Sequence, residues 1–369
     1  MTWSFDPPEL IDRARDLLAR WADLRQADDT ANRAWCRAPG RILAVRHPFR
    51  QAGFHDQFLF WLARHFPDLR RRFELALLPC AGVDLAQVAV VVPWLQDPVE
   101  AWSPVALDAA CQLVEAAAAR GIPVVNHPAR LANGGKRAAA ERLAAIGIRT
   151  PRTLAVDTAS ADAVRQALPG QILIREDWGH GVPSLRLGPG EPITPTALAR
   201  FRRPIAVEFV DTRGPDGLYC KYRCFVAGDH HVAVHRLAAP DWEVRGGNKR
   251  STPDLLAAEA AHVAGPDRHA DLFARARVAM ELDVVAFDYG YLPAGGIVVW
   301  EANPFPFIQF GPRVAELAYR DQPVHRQFAA MAGLYLERAG LPVPEPIEML
   351  RRYDRGAAGR LALRPNLPG

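Results

Sequence analysis

The sequence predicts a layered protein in which an α/β unit precedes α+β elements, and three observations carry that prediction. Between residues 41 and 126 short apolar strands alternate with a helix across short joints, the grammar of a layered α/β domain. From residue 153 onward strands arrive with alternating patterning, and the last two flank the turn-like "LPAGG". Of the 369 residues 49% are apolar and 23% charged, so the chain is long enough for two or three modules around sizeable cores.

Taken in order, residues 8–28 show apolar positions at helical spacing behind a proline, which predicts a helical extension within 1–40. "RILAVRHPF" predicts a first strand and "AQVAVVVPW" a buried one. Ser103-Pro104 then opens a helix ending at Gly121, and "IPVVN" follows as a strand. Residues 41–132 thus form one α/β unit. "NGGKRAAAERLAAIGI" predicts an Ala-rich helix closed by Gly147. Strands at "RTLAVD", "QILIRED" and "SLRL", with a polar helix over 160–168, complete a second unit over 133–205. "PIAVEFVD" and the pair within "YCKYRCFVAGDHHVAVHRL" read as strands, a long helix is expected over 254–281, and "VVAFDYGY" with "IVVWEAN" closes a third unit over 206–340. The Pro- and Arg-rich tail, 341–369, is expected to be peripheral or partly disordered.

Several functions are excluded early. "MTWSFDPPEL" has neither a basic start nor an apolar run, and "LAQVAVVVPWL" is too short to span a bilayer, so a cytoplasmic, soluble protein with no membrane partner is expected. Five scattered cysteines, an odd number, argue against a disulfide framework; Cys220 and Cys224 share one strand face. A net charge of +4 does not call for nucleic acid, and none is expected, although a phosphate-bearing ligand would be comfortable. Only three of the 45 basic residues are lysines, Lys136, Lys221 and Lys249. Lysine meets a phosphate as a compact point charge where arginine offers a planar fork, so these exceptions are candidate phosphate ligands; chance survival is the alternative.

The final hairpin carries the most chemistry. Centring its turn on Ala294-Gly295 sets Asp288 across from Glu301, with Asn303 pointing the same way, and leaves Val285, Phe287, Val298 and Trp300 as the core face. Two carboxylates and an amide oxygen on one strand face suit Mg²⁺, which completes its octahedron with water and substrate phosphates. The alternative is a solvated edge. Lys136 follows two glycines in the first turn of its helix, where amide groups and an ammonium favour an anion. Lys221 and Arg223 share a cationic strand face that with the hairpin reads as a phosphate wall. Gly179 and Gly181 allow a backbone to fold over a phosphate, though a two-glycine turn is also an ordinary hairpin.

The order of these pieces, over roughly residues 83–310, resembles the ATP-grasp superfamily of carboxylate-amine ligases, such as glutathione synthetase, D-alanine–D-alanine ligase and the ribosomal-protein glutamate ligase. The resemblance implies an ATP-grasp fold behind an N-terminal pre-ATP-grasp domain, with ATP and Mg²⁺ as cofactors. It implies that Lys136 is the family's first phosphate lysine and that Gly179 and Gly181 belong to its glycine-rich lid. At the second lysine position this chain has Arg175. Glu208 would meet the adenine amine, with the backbone of Phe209 and Val210 beside it, while Lys221 and Arg223 face the phosphates. Asp288, Glu301 and Asn303 would hold the metal. The implied reaction turns a substrate carboxylate into an acyl phosphate and joins it to an amine, releasing ADP and phosphate. Arg223, Arg245 and Lys249 are the catalytic candidates; Arg250, and Arg46 or His47 on the acceptor side, are further substrate contacts. Carboxylate and amine substrates, small molecules or peptides, are the expected partners, and a homodimer is admitted. A kinase or carboxylase with another acceptor, and a non-catalytic ATP-binding regulator, stand as alternatives.

Overall fold

The computed structural model describes residues 40–47, 52–79, 83–96, 99–178, 183–310 and 314–353. The extension expected over 8–28, the Gly179/Gly181 turn and the tail beyond residue 353 lie outside the described residues.

Three sheets organise the chain. In the first, β1 (Arg41–Arg46) is followed by α1 (Ala52–His65), β2 (Phe73–Leu77), β3 (Val88–Trp94) and α2 (Pro104–Ala118). The strands are parallel in the order β2-β1-β3. A parallel sheet is covered on both faces, which is why β1 and β3 read as nearly unbroken apolar runs. Ile42, Ala44, Val90 and Val92 enter one core, and Leu43, Val45 and Val91 enter another. The strand expected at "IPVVN" contracts to a single bridge, Val91 with Val124. Pro123 has no N–H to extend the ladder, and Asn126 turns away in the left-handed region at φ 54°.

After α3 (Lys136–Ala145) comes an antiparallel sheet built from β4 (Thr153–Ala155), β5 (Ile172–Glu176), β6 (Leu185–Leu187) and β7 (Pro204–Glu208), in the order β4-β7-β5-β6, with α4 (Ala161–Ala167) packed on it. It has a core of its own, in which Val164, Ile172, Ile174 and Ala206 meet. Its other face is sparser: Leu173, Ile205 and Val207 pack with Phe209 and Trp242.

The third sheet contains β8 (Tyr219–Ala227), β9 (His230–Ala239), β10 (Val284–Tyr291) and β11 (Ile297–Asn303), antiparallel in the order β11-β10-β8-β9. The single helix expected over 254–281 is two, α5 (Pro253–Val263) and α6 (Ala270–Met280), because Gly265-Pro266 removes both helix propensity and a backbone donor at mid-span. α7 (Asp321–Arg338), which the sequence reading does not anticipate, is buried without interruption from Pro323 to Leu336. α8 (Glu345–Arg351) docks against it through Ile347 and Leu350, and Arg351 pairs with Glu337 at 2.6 Å. The first part of the tail is therefore core rather than periphery.

Both larger cores contain residues of the first and third sheets together, Val92 with Ala286 and Val91 with Phe287 among them. Those two sheets form one body, and the β4–β7 sheet is attached to it. Among the described residues no helix is long and apolar enough to cross a membrane.

One local irregularity corrects the expected face of two residues, Trp300 and Val298. Asp288 pairs with Glu301, but Tyr289 pairs with Val299, so Trp300 is the extra residue of a bulge. The bulge turns its indole onto the Asp288 face, over Gly290, instead of into the core with Phe287, and Val298, which pairs with Gly290, shares that face too, leaving Ile297 and Val299 to meet Phe287. A Cβ at Gly290 would collide with that ring and would stand 3.2 Å from the Cys220 carbonyl. Gly290→Ala is expected to cost about 1–3 kcal/mol in urea denaturation. The cost should shrink in a Trp300→Ala background, because the two residues are in contact and cannot act additively.

Candidate active site

The third sheet sets functional side chains in a row across its strands. Glu301 on β11 is opposite Asp288 on β10, which is opposite Arg223 on β8, which is opposite His235 on β9. Directly opposed residues share a face, so these four project together. Asp288 is only 5% exposed. Arg223 grips it with a two-pronged fork, Nε donating to Oδ1 at 2.5 Å and Nη2 to Oδ2 at 2.8 Å. The Lys221 ammonium is 3.5 Å from Oδ2. Burial pushes the Asp288 carboxyl upward, but Arg223 and then Lys221 outweigh it and hold the acid well below its ordinary range. Burial likewise works against the Arg223 charge, and Asp288 and Glu301 restore and raise it.

The trio Asp288, Glu301 and Asn303 thus occupies one face, with oxygen donors only, which fits a hard divalent cation. The Asp288 oxygens already accept from Arg223, and Asn303 Oδ1 accepts from Phe305 N–H at 2.8 Å. Each of these oxygens carries a second lone pair for an ion. Among the described residues no three His, Cys, Asp or Glu side chains are grouped to hold a metal. A cation here would take two carboxylates, one amide and ligand oxygens, which is how Mg²⁺ is held.

Arg175 comes from the neighbouring sheet and shares the β5 face of Leu173. Burial lowers its pKa, opposed by Glu301 and Glu243, so it stands within the field of the β11 carboxylate. Arg245 also acts on Arg175 and pairs with Glu243 at 2.7 Å, which brings the 240–250 loop to the same place. Lys249 is set apart. Burial and Arg320 depress its ammonium, and Glu259, which accepts from Arg320 and Tyr319, partly compensates. Arg250 is exposed and donates its backbone N–H to the Ala238 carbonyl. Arg46 pairs with Asp56 at 2.9 Å, and the neighbouring His47 is half-buried.

The lysine of α3 has an unexpected companion. Asp177, just past β5, accepts the Arg137 N–H on Oδ1 at 2.9 Å, and its carbonyl accepts from the Lys136 N–H and from Lys136 Nζ at 3.1 Å. The helix begins on Gly135 without a cap from its own sequence, and the adjacent sheet supplies the carboxylate that its first turn favours. The two glycines before Lys136 are accounted for by packing. A Cβ at Gly134 would stand 2.5 Å from Pro304, and one at Gly135 would stand 2.8 Å from Trp178 Nε1. Trp178 is in turn stacked under the Arg203 guanidinium at 3.4 Å.

Glu208 ends β7 at the junction between sheets. It accepts from Arg149 Nη2 at 3.1 Å and from the Arg152 N–H at 3.0 Å. Phe209 donates its N–H to the Gln171 carbonyl and lies under the Arg186 guanidinium at 4.1 Å; Val210 beside it is half-buried. A cavity of about 30 Å³ beyond the Asn303-Pro304 corner, lined by His55, Trp94, Asn126 and Tyr335, has room for water but not for a nucleotide.

Solved structures superpose on this architecture. That of the ATP-grasp ligase PsnB complexed with minimal precursor, Mg and ADP matches 82% of this chain and 100% of its own, with 15% identity and a TM-score of 0.51. The chain has the ATP-grasp fold. Similar matches are D-alanyl-alanine synthetase A from Vibrio cholerae (14% identity, 82% of this chain, 99% of that one, TM-score 0.50) and VanG D-Ala:D-Ser ligase from Enterococcus faecalis (14%, 81%, 99%, 0.51). No protein-family model matches the sequence, and no curated protein matches it. Likeness at this identity establishes the ATP-grasp fold and not the activity.

Within that fold the structure brings Lys221, Arg223, Arg175, Asp288, Glu301 and Asn303 to one place and sets Glu208 at the junction. Asp177, His235 and Glu243 are neighbours the sequence reading missed. The strand pairing that unites His235 with Arg223 crosses a bulge between Arg223 and Cys224, which no periodicity announces.

Two outcomes follow for stability. Asp288→Asn leaves the buried Arg223 charge with only Glu301 to offset it and should cost about 3 kcal/mol near neutral pH. Because the native Asp288 pKa is depressed, its contribution is present above the unfolded value of about 3.9 and fades as pH falls toward the native one. The difference between wild type and Asp288→Asn in urea titrations should therefore narrow below about pH 4. Asp177→Ala removes the cap of α3 and should cost about 1 kcal/mol by the same measurement.

Proposed function

We propose that the protein is an ATP-dependent carboxylate-amine ligase, acting in the cytoplasm, that forms an amide through an acyl phosphate. The observation that carries this reading is the cross-strand row Glu301, Asp288, Arg223, faced by Arg175 from the other sheet. It concentrates oxygen donors and cations where an ATP-grasp fold would hold a triphosphate between two β layers. In this reading residues 41–132 are the pre-ATP-grasp domain, 133–205 the lid subdomain and 206–340 the subdomain with the metal site. PsnB, a ligase of this fold, has been solved with Mg and ADP.

Phosphoryl transfer asks a protein for positioning and charge neutralisation more than for covalent help. Asp288, Glu301 and Asn303 would hold Mg²⁺, which when bound neutralises charge between the β- and γ-phosphates. Arg223 spends two of its five donors on Asp288 and has others for an anion. Lys221, Arg175 and Lys136 add positive charge. Glu208, with the backbone of Phe209 and Val210, would receive the adenine amine. Arg245 and Lys249, on the loop after β9, would receive the substrate carboxylate, with Arg250, Arg46 or His47 as outer contacts. The carboxylate oxygen attacks the γ-phosphorus as the bond to ADP breaks. The amine nitrogen then attacks the acyl carbon, and phosphate leaves.

A panel of amino acids and peptides incubated with ATP, Mg²⁺ and hydroxylamine should yield hydroxamate together with ADP. Glu301→Gln should lower that rate about 100-fold or more. ADP formed without any carboxylate-dependent hydroxamate would instead favour a kinase acting on another acceptor.

A further inference from the structure

Arg175 stands in the field of two glutamates, Glu301 and Glu243. Glu301 belongs to the metal trio, whereas Glu243, on the loop after β9, has no part in the reaction described so far. The contacts of that loop place it. Trp242, the preceding residue, packs with Leu173, Ile205 and Val207 on the face of the β4–β7 sheet that Arg175 shares, and meets Phe209 edge to face at 5.9 Å. Ser184, which leads into β6, donates its hydroxyl to Glu243 Oε1 at 3.2 Å, and Arg245 Nη2 donates to the same oxygen at 2.7 Å. Asn248 closes the loop, accepting the Arg245 N–H and donating to the Glu243 carbonyl, each at 2.8 Å. The other carboxylate oxygen, Oε2, accepts from no group among the described residues, and the side chain is 28% exposed.

A carboxylate in this position needs a reason. Its pair with Arg245 is exposed on both sides and contributes little to folding. A triphosphate and a substrate acid are anions, and Glu243 repels both. Asp288 and Glu301 face the same repulsion and would answer it with Mg²⁺, which Asn303 helps to hold. Glu243 is a single acid outside that trio, so a different cation suits it. The one cationic reactant of a carboxylate-amine ligase is the amine, which arrives as an ammonium with donors and no acceptor. Resting on the ligase reading above, we infer that Glu243 is the substrate-binding residue that receives this ammonium, on the oxygen that Ser184 and Arg245 leave open. The ligand class is a primary aliphatic amine, such as an amino acid or the amino end of a peptide. Arg245, on the other oxygen, is the candidate for the acid, and Arg175, within reach of the same charge, is a candidate for the phosphate. An amine held on Glu243 therefore stands beside both groups that the acyl phosphate joins, and a charge-assisted bond fixes its direction.

Hydroxylamine tests this, because it is largely uncharged at neutral pH and needs no carboxylate to receive it. With the acid that yields most hydroxamate, each amino acid is added in turn as a competing amine. One that attacks the acyl phosphate diverts the yield from hydroxamate to amide, and mass spectrometry reads both products. Glu243→Gln keeps the length and the acceptor for Ser184 and Arg245 but removes the charge. It should form hydroxamate within about threefold of wild type, while the concentration of the best competing amine that halves the yield rises about tenfold or more. Glu243→Asp retains the charge and should fall between the two. Equal losses of hydroxamate and amide would reduce Glu243 to a partner of Arg175 and overturn the assignment. Unchanged competition in Glu243→Gln, or no competing amine in the wild type, would overturn it as well. Absence of hydroxamate from the wild-type protein would overturn the ligase reading itself, and that failure is visible before Glu243 is altered.

Discussion

A carboxylate that is 5% exposed in the middle of a β-sheet stays ionised here because a guanidinium lies flat against it. The Arg223 fork on Asp288 is the constraint on which the rest of the third sheet depends. Without it, Asp288 and Glu301, directly opposed, would repel across the hairpin. With it, two acids and two bases occupy neighbouring strands in a fixed order, and the sheet can present oxygen donors at one end of the row and positive charge in the middle. The buried pair is weak evidence for stability, since desolvation offsets much of its attraction. What it gives is a defined geometry for charges that would otherwise be mobile.

That geometry is anchored from outside the sheet. Asn126, at the end of the α/β unit, accepts from the N–H groups of Asp283 and Val284 with Oδ1 and donates to the Val284 carbonyl with Nδ2. It fixes the start of β10 four residues before Asp288. On the other flank, the Val299 N–H donates to the Arg149 carbonyl at 3.0 Å, beside the Arg149 contact to Glu208. The strand that carries Glu301 is thus tied to the junction with the β4–β7 sheet.

Much of this was legible in the sequence, and what was missed has physical reasons. The hairpin could be read because its turn is short and its strands alternate, and register then follows from the turn. Trp300 and Val298 lie on the opposite face from the one simple alternation predicts, because a bulge adds one residue and shifts the alternation by one. α7 escaped notice because a helix buried all round has no polar stripe to reveal its period; His325, Arg326 and Gln327 are as hidden as the alanines beside them. The glycines before Lys136 suggested an anion cradle, and their neighbours Pro304 and Trp178 explain them as close packing. Asp177 and His235 carry no local signal at all, since each matters only through partners 40 or so and 12 residues away in the chain.

The cap that Asp177 places on α3 has a structural consequence. The first and third sheets share two cores, whereas the β4–β7 sheet has a separate core and a thin inner face. That sheet is fastened to the rest at the first turn of the helix that presents Lys136. One residue therefore sets two things at once, because the amides that moor the β4–β7 sheet belong to the same turn as the buried ammonium.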